Sequence, residues 1–439
     1  MTTPYVLQGG LVLDPASKQE SVMDLRLDGD RIVALGGNLE VKPGDTAIDA
    51  RGLWICPGFI DLHCHLRDLG QKDKEDIETG TRAAAAGGYT TVVAMANTEP
   101  PVDNAATLSV LLNRIADRAH IEVLPVACVT KGMEGAELTN MVELAEMGAV
   151  AFSDDGLPIS NMAVLRRALE YARLSERVII SHAEDRDLCQ GGIIHEGARA
   201  TAMGLSGIPI AGETVAIARE IEIVRSTNSP YHFTHLSCAQ SVELVRRAKA
   251  DGLPVTADAT PHHLTLTVDQ IQGWDANYKM KPPLRTQIDQ EALIAGLKDG
   301  TLDAIATDHA PHTRQDKCRP LEEASVGVIG LETALALTLE RLVGAGHLRP
   351  LEFIALFTSK AAPVLDLPQP SLQIDSTANI AIVDPALRWT YSTSTGQSRS
   401  HNSPFHGRLL TGKNILTFYQ GRPVFTDKQA LQNRLKEPV

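Results

Sequence analysis

The chain has 439 residues, of which 43% are hydrophobic and 22% charged, a balance typical of a folded globular protein rather than a fibrous or disordered one. This length exceeds what one hydrophobic core usually supports, so we expect one large and one smaller domain. The formal net charge of -13 argues against binding to nucleic acid or to an anionic membrane surface.

The sequence gives no indication of secretion or membrane insertion. The N-terminal segment MTTPYVLQGGLVLDP lacks the basic and apolar regions of a signal peptide. No apolar run approaches the roughly 18 to 20 residues that span a bilayer. The six cysteines show no CxxC pairing, so we predict a cytoplasmic protein with reduced thiols.

Short strands are predicted at both ends of the chain. Near the N-terminus, YVLQGGLVLDP and VMDLRLDGDRIVALG alternate apolar and polar residues around turn residues. The same pattern returns in ANIAIVDP and RLLTGKNILTFYQG. We expect residues 1–57 and 366–439 to build one small β-sandwich domain together.

Between the two ends, over residues 58–365, short apolar runs alternate with amphipathic helices, as in βα units around a parallel sheet. The runs cover residues 58–65, 89–97, 121–129, 149–155, 177–184, 231–237, 254–260 and 303–310. Helices are predicted in the gaps, for example at 104–119, 162–176, 212–226, 290–300 and 331–346. Eight such units predict an α/β fold of the (β/α)8 TIM-barrel type. The absence of G-x-G-x-x-G and of a P-loop lysine after the first run disfavours an open nucleotide-binding sheet.

The chemistry of such a barrel sits at the C-terminal ends of its strands. Five of the eight runs end in potential metal ligands, namely His63 and His65, Asp154 and Asp155, His182, His235, and Asp308. The i, i+2 spacing places His63 and His65 on one face of a strand and Cys64 on the other. Imidazole and carboxylate ligands without thiolate suit Zn²⁺, with Mn²⁺, Co²⁺ or Fe²⁺ as substitutes. Spacing alone does not choose between the two neighbouring aspartates.

A set of ligands that can hold a divalent cation predicts a hydrolase. Such a cation can lower the pKa of water to about 7 and polarise a carbonyl, which hydrolysis or closure of a cyclic amide requires. Asp308, at the end of the eighth run, can both contact the metal and accept the proton from water. We therefore predict Asp308 as the catalytic proton shuttle.

Several longer motifs carry a family resemblance. The segments PGFIDLHCHLRDLG, AFSDDG, SHAED, THLS, TPHHL and ATDHAPH together resemble type I dihydroorotases of the amidohydrolase superfamily, over nearly the whole chain. The resemblance implies the reversible cyclisation of N-carbamoyl-L-aspartate to L-dihydroorotate in de novo pyrimidine (UMP) biosynthesis. It also implies one or two Zn²⁺ per chain. His63 and His65 would bind one ion, His182 and His235 the second, with Asp155 bridging where many relatives use a carbamylated lysine.

The same resemblance implies a set of substrate contacts. These are His65, Arg67, Asn97, Lys281, His312 and Gly327. An arginine suits a substrate carboxylate because its guanidinium can donate two parallel hydrogen bonds. The loop 311–327 follows Asp308 and is placed where a lid over the substrate would lie, and His262 and His263 are interpreted as support for the site.

Four positions depart from the family pattern. Leu69 and Ala96 stand where proline is common, and ASVG replaces the usual APFG, which changes loops but removes no chemical group. Lys281 stands where the family generally has asparagine. Lysine loses the amide acceptor and adds a charge that could pair with a carboxylate.

Two alternatives to a dihydroorotase stay open at this point. One is another cyclic-amide hydrolase of the dihydropyrimidinase or allantoinase kind, against which Arg67 and the missing bridging lysine argue. The other is a catalytically silent dihydroorotase-like scaffold for aspartate transcarbamoylase, against which the complete ligand set argues. We expect a small-molecule substrate and a homo-oligomer, with aspartate transcarbamoylase as a possible partner.

Overall fold

The structure is a computed structural model that describes residues 4–271, 273–432 and 434–435. The strands are numbered β1 to β18 in chain order. One mixed sheet joins the two ends of the chain in the order β18-β17-β16-β5-β1-β2-β3, with β4 paired to β1. Its strands are Tyr5–Asp14 (β1), Gln19–Asp28 (β2), Arg31–Gly36 (β3), Thr46–Asp49 (β4), Trp54–Pro57 (β5), Ile380–Thr390 (β16), Leu409–Tyr419 (β17) and Arg422–Thr426 (β18).

The second large sheet is a barrel of eight parallel strands. They are Phe59–Cys64 (β6), Tyr89–Ala94 (β7), Glu122–Ala127 (β8), Ala151–Phe152 (β9), Val178–Ser181 (β10), Tyr231–Phe233 (β13), Val255–Ala259 (β14) and Ala304–Ile305 (β15). A parallel bridge between Cys64 and His309 closes the ring. Each predicted run contains one of these strands, so the predicted barrel with an added sheet from both chain ends is confirmed. A separate short pair joins Ile194–His195 (β11) to Gly207–Ile208 (β12).

The described α-helices lie in the gaps that follow barrel strands, as a βα barrel requires, apart from the last of them, which follows β18. They are Ile77–Gly87 (α1), Ala105–Arg118 (α2), Met141–Glu146 (α3), Met162–Ala172 (α4), Arg186–Cys189 (α5), Ala198–Met203 (α6), Ala211–Thr227 (α7), Ala239–Ala250 (α8), Pro261–Thr265 (α9), Gln287–Asp299 (α10), Arg314–Lys317 (α11), Ala334–Thr338 (α12), Pro350–Ala355 (α13) and Lys428–Leu431 (α14). The helix predicted at 331–346 is α12 continued by a π-helix over Leu339–Gly344. None of the described helices is long and apolar enough to cross a membrane.

The N-terminal end of the barrel is packed with apolar side chains. Every residue of β7 is buried, as expected for a strand covered on both faces. Phe59 at the start of β6 packs against Tyr89 and Phe357, with ring centroids 5.9 and 5.3 Å apart. Edge-to-face and tilted ring contacts of this kind stabilise a barrel interior. The potential metal ligands therefore gather at the opposite, C-terminal mouth.

The long connection between β16 and β17 reaches back to the barrel mouth. Within it, Arg399 donates a backbone hydrogen bond to Glu75, and Asn402 donates one from its side chain to the Ala310 carbonyl. Residues from the C-terminal part of the chain thus contact loops that follow barrel strands. The division of domains at residues 57 and 365 stays a prediction.

Candidate metal centre and active site

The predicted ligands lie together at the barrel mouth, and all of them are buried. They occupy the ends of β6, β9, β10, β13 and β15 or the residues just beyond, and they are His63, His65, Asp155, His182, His235 and Asp308. Parallel strands bring their carboxyl ends to one rim of the barrel, so residues far apart in sequence meet there. The side chains form two groups that share Asp155.

The first group consists of His63, His65 and Asp155, with one ligand atom from each lying within 4.8 Å of the others. Asp155 Oδ2 is 3.5 Å from His63 Nε2 and 3.6 Å from His65 Nε2. Asp308 Oδ1 approaches the same two nitrogen atoms, at 3.6 and 3.2 Å. Two imidazoles and two carboxylates therefore converge on one point.

The second group consists of Asp155, His182 and His235. Asp155 Oδ1 lies 3.7 Å from His182 Nδ1 and 3.7 Å from His235 Nε2, and these two nitrogen atoms are 3.0 Å apart. The two oxygens of Asp155 thus face different histidine pairs. With cations bound, Asp155 would be able to contribute one carboxylate oxygen to each group.

Unpaired polar atoms test whether these residues fit a metal. His63 Nε2 and Asp155 Oδ1 are buried and have no hydrogen-bond partner among the described residues. Buried polar atoms without partners are costly and rare, and one cation in each group would satisfy them. Cys64 lies on the other face, with its Sγ 3.4 Å from the Val93 carbonyl oxygen. The donors are therefore imidazole and carboxylate, a set that suits Zn²⁺ and related divalent ions.

Hydrogen bonds behind the ligands orient two of the imidazoles. His63 Nδ1 is 2.9 Å from Thr234 Oγ1, which in turn lies 3.2 Å from the buried carboxylate of Asp258. His65 Nδ1 is 2.8 Å from Asn97 Oδ1. A proton on Nδ1 satisfies both contacts and leaves the Nε2 lone pair for a metal. Thr234 and Asp258 were not predicted, although Thr234 directly precedes His235 in the motif THLS.

The structure separates the two neighbouring aspartates. Asp154 turns away from the histidines and accepts hydrogen bonds from the backbone of Val129 and Thr130, at 2.8 and 3.1 Å. Burial raises the pKa of Asp154 to about 6, although these hydrogen bonds oppose the shift. Asp154 therefore supports the loop, whereas Asp155 faces the imidazoles, as the resemblance implied.

Three of the predicted site residues have left-handed backbone conformations. The φ angles of Arg67, His235 and Asp308 are +55°, +44° and +45°. Such conformations cost non-glycine residues about 1 to 3 kcal/mol each and concentrate at functional sites. The surrounding fold therefore holds these three side chains at the mouth against a local backbone preference.

Asp308 and Arg67 differ in how burial affects them. Burial alone would raise the pKa of Asp308, but the hydrogen bond from His65 and the charges of His63 and His235 outweigh it and lower the pKa. Burial lowers the pKa of Arg67 to about 10, against the charges of Asp308 and Asp155. Arg67 donates from Nε to the Pro311 carbonyl, at 3.3 Å. Asp308 is thus ionised next to a cationic guanidinium.

His312 and Gly327 lie side by side on the loop that follows β15. His312 Nε2 donates to the Val326 carbonyl at 2.8 Å, while its buried Nδ1 has no hydrogen-bond partner among the described residues and lies 4.0 Å from Asp316 Oδ2. Burial, followed by the charge of Arg67, lowers the pKa of His312 to about 3. His312 is therefore neutral, with Nδ1 free to accept a hydrogen bond.

Lys281 pairs with a carboxylate of the protein itself. Its Nζ lies 2.7 Å from Glu184 Oε1, and the other oxygen of Glu184 lies 3.6 Å from His182 Nε2. Burial would raise the pKa of Glu184, but contacts with His182 and then Lys281 lower it to about 2. His263 supports the same region by donating from Nε2 to the Pro282 carbonyl, at 3.1 Å. Glu184 was not predicted as a site residue, although it lies in the motif SHAED.

Comparisons with known proteins agree with this geometry. The sequence profile of the family described as Dihydro-orotase-like matches residues 52–241. The dihydroorotase of Syntrophotalea carbinolica is 45% identical over 417 residues, which cover 95% of this chain and 98% of the relative. The dihydroorotase of Pelotomaculum thermopropionicum is 43% identical over 423 residues, covering 96% and 99%. Among solved structures, L-hydantoinase (dihydropyrimidinase) from Arthrobacter aurescens superposes with a TM-score of 0.86 at 24% identity, covering 97% of this chain and 96% of that one.

The parallel barrel with clustered histidines and aspartates at its strand ends, together with the dihydroorotase relatives, supports a cyclic amide hydrolase. The hydantoinase likeness supports the fold, and the sequence relatives narrow the class further. Since those relatives match almost the whole chain at 45% and 43% identity, the chain belongs to the dihydroorotase family.

Proposed function

We propose that this chain is a zinc-dependent type I dihydroorotase. It would interconvert N-carbamoyl-L-aspartate and L-dihydroorotate in de novo pyrimidine synthesis. The observation that carries the proposal is the position of Asp155, whose two carboxylate oxygens face two separate histidine pairs. An aspartate at this position also agrees with the type I pattern and differs from the carbamylated lysine that the resemblance assigns to dihydropyrimidinases.

The two histidine pairs and Asp155 would hold one or two Zn²⁺ ions. When bound, such an ion polarises a carbonyl and lowers the pKa of water. The chain's own part is to present correctly oriented nitrogen lone pairs. Thr234 and Asn97 do this for His63 and His65, respectively, by accepting a hydrogen bond from Nδ1–H.

Asp308 would move the proton in both directions. In ring opening, its carboxylate accepts a proton from the attacking water and delivers it to the ring nitrogen as the amide C–N bond breaks. In ring closure, the ureido nitrogen attacks the neutral side-chain carboxyl of the substrate. Asp308 takes the proton from that nitrogen and passes it to the departing hydroxyl group, which leaves as water. The lowered pKa of Asp308 supports the first of these roles, because an ionised carboxylate is the form that accepts a proton.

The substrate carboxylate would bind Arg67. Its guanidinium is buried at the mouth, and its only hydrogen bond described in the structure goes to a neutral carbonyl, so donors remain for an anion. Asn97, His312 Nδ1 and the backbone of Gly327 would contact the ring or ureido group. Lys281 forms an ion pair with Glu184, so the pair adds little net charge at the mouth. A contact between Lys281 and the substrate stays a proposal.

Substrate comparison tests the proposal directly. Purified enzyme with its metal should turn over dihydroorotate far faster than dihydrouracil or allantoin, and zinc should be present at one or two ions per chain. Faster turnover of dihydrouracil or allantoin would instead support the other cyclic-amide hydrolases. A protein without zinc and without turnover would support a silent scaffold for aspartate transcarbamoylase. A homo-oligomer, cytoplasmic localisation and an aspartate transcarbamoylase partner stay predictions.

A further inference from the structure

Residues 398–402, which lie in the connection between β16 and β17, bridge two loops at the barrel mouth. At one end, the Ser398 hydroxyl and the Arg399 backbone donate to the buried carboxylate of Glu75. Ser400 Oγ donates to the Lys74 carbonyl at 2.6 Å. These contacts fix the bridge to the loop that continues from Arg67.

At its other end, the bridge reaches the substrate-facing loop through one side chain. Asn402 is 3% exposed, and all polar groups of its carboxamide are used. Oδ1 accepts the backbone N–H of His312 at 3.0 Å. Nδ2 donates to the carbonyls of Ala310 and Gly327, at 2.9 and 3.1 Å. The Asn402 side chain thus links the two ends of the loop, residues 310–312 and Gly327.

The two ends of the loop approach each other so closely that no side chain would fit between them at position 327. Gly327 has a φ of +120°, and a Cβ built on it would lie 2.6 Å from Ala310 Cβ and 3.5 Å from His312 Nε2. Glycine is therefore required at this approach. The Gly327 carbonyl also accepts a hydrogen bond from Lys317 Nζ at 2.9 Å, so Asn402 and Lys317 hold it together.

We infer that Asn402 is a positioning residue for substrate recognition. It sets the spacing between His312 and Gly327, the two loop groups that would contact the pyrimidine ring. The inference rests on the proposed function, because that function assigns the two contacts. None of the hydrogen bonds of the Asn402 side chain goes to a proposed metal ligand, so its effect should fall on substrate binding rather than on metal content.

The Asn402→Asp variant tests this role. It keeps the size and the acceptor but places a carboxylate oxygen against two carbonyls. We expect KM for dihydroorotate and for N-carbamoyl-L-aspartate to rise about 10- to 100-fold, with a smaller change in kcat and unchanged zinc per chain, since small misplacements of binding groups have effects of this size. Asn402→Ser gives the same comparison if the aspartate variant does not fold.

Two further variants separate positioning from general stability. Ser400→Ala removes the Lys74 contact at the other end of the bridge, and its KM should stay within about twofold of wild type. His312→Ala combined with Asn402→Asp should cost less than the two single changes together, because the residues act through one contact. Wild-type KM in both Asn402 variants, or an equal KM rise in Ser400→Ala, would overturn the inference. Absence of dihydroorotate turnover in the wild-type enzyme would instead refute the proposed function.

Discussion

The ligand cluster and the loop 311–327 lie at the same barrel mouth but are held by different contacts. His63, Asp155 and their partners sit at or just beyond strand ends, where the parallel ladder of the barrel sets their positions. The loop instead contains only the short helix α11 and is held by side chains that donate to its carbonyls, among them Asn402 and Lys317. The comparison supports separate proposed roles, in which the strand ends would bind metal and the loop would shape the substrate pocket.

The largest loss of rate is expected for Asp308→Asn, which keeps the size of the side chain but cannot accept a proton. Both ring opening and ring closure should fall by about 100-fold or more, with zinc retained, when steady-state rates are measured in each direction. In wild type, ring closure should rise as pH falls, because the side-chain carboxyl of the substrate must be neutral for its hydroxyl group to leave as water, whereas the lowered pKa of Asp308 keeps this carboxylate ionised and able to accept a proton in both directions.

Asp303→Asn is the matched control for this change. Asp303 pairs with Lys249 at 2.6 Å near the other end of β15, so its loss should leave both rates nearly unchanged. Near-normal rates in Asp308→Asn would show that this residue only packs at the strand end.

A smaller effect, on binding, is expected for Arg67→Lys. An ammonium cannot donate the two parallel hydrogen bonds of a guanidinium, so we expect affinity to fall by about 2 kcal/mol, or roughly 30-fold in KM. Arg114→Lys is the control, because Arg114 pairs with the adjacent Asp68 rather than pointing to the mouth. Unaltered KM for both substrates in Arg67→Lys would place the carboxylate elsewhere.

The remaining effect concerns protein stability rather than rate or binding. Burial, with a contribution from the charge of Lys279, lowers the pKa of Lys317 from 10.5 to about 7. Between these two values the unfolded chain binds a proton that the folded chain lacks, so this lysine makes stability rise with pH, by at most about 1.4 kcal/mol per pH unit. Below pH 7 the cost of burying the charge is fully present.

The Lys317→Met variant removes this titration. Denaturant unfolding between pH 7 and 9.5 should show a shallower rise of stability with pH than wild type, while Lys298→Met, at an exposed position of α10, should keep the wild-type slope. Equal slopes in all three proteins would show that Lys317 stays charged over this range.

The strand-end half of the site could be predicted from sequence because it depends on local patterns. Apolar runs that end in His or Asp locate the strands, and alternation places His63 and His65 on one face. The choice between Asp154 and Asp155 came from resemblance, since both follow the two-residue strand β9 and no alternation extends to them.

The other half depends on contacts between distant parts of the chain. Asn402 bonds to residues 75 to 92 positions away, and Lys281 meets Glu184 only because their loops converge at the mouth. Neither the period of a helix nor that of a strand carries such information. Lys281 is an example. Its charge alone suggested that it pairs with a carboxylate of the substrate, whereas in the structure it pairs with Glu184 of the protein itself.

The measurement that tests the central claim most directly is the zinc content of Asp155→Asn beside that of Asp154→Asn. The two aspartates are adjacent and buried, but Asp155 faces both histidine pairs and Asp154 faces the backbone of residues 129 and 130. We expect Asp155→Asn to lose most of its zinc and its activity, and Asp154→Asn to keep zinc near the wild-type amount. Full zinc in Asp155→Asn, or equal loss in both variants, would contradict the assignment of Asp155 as the bridging ligand.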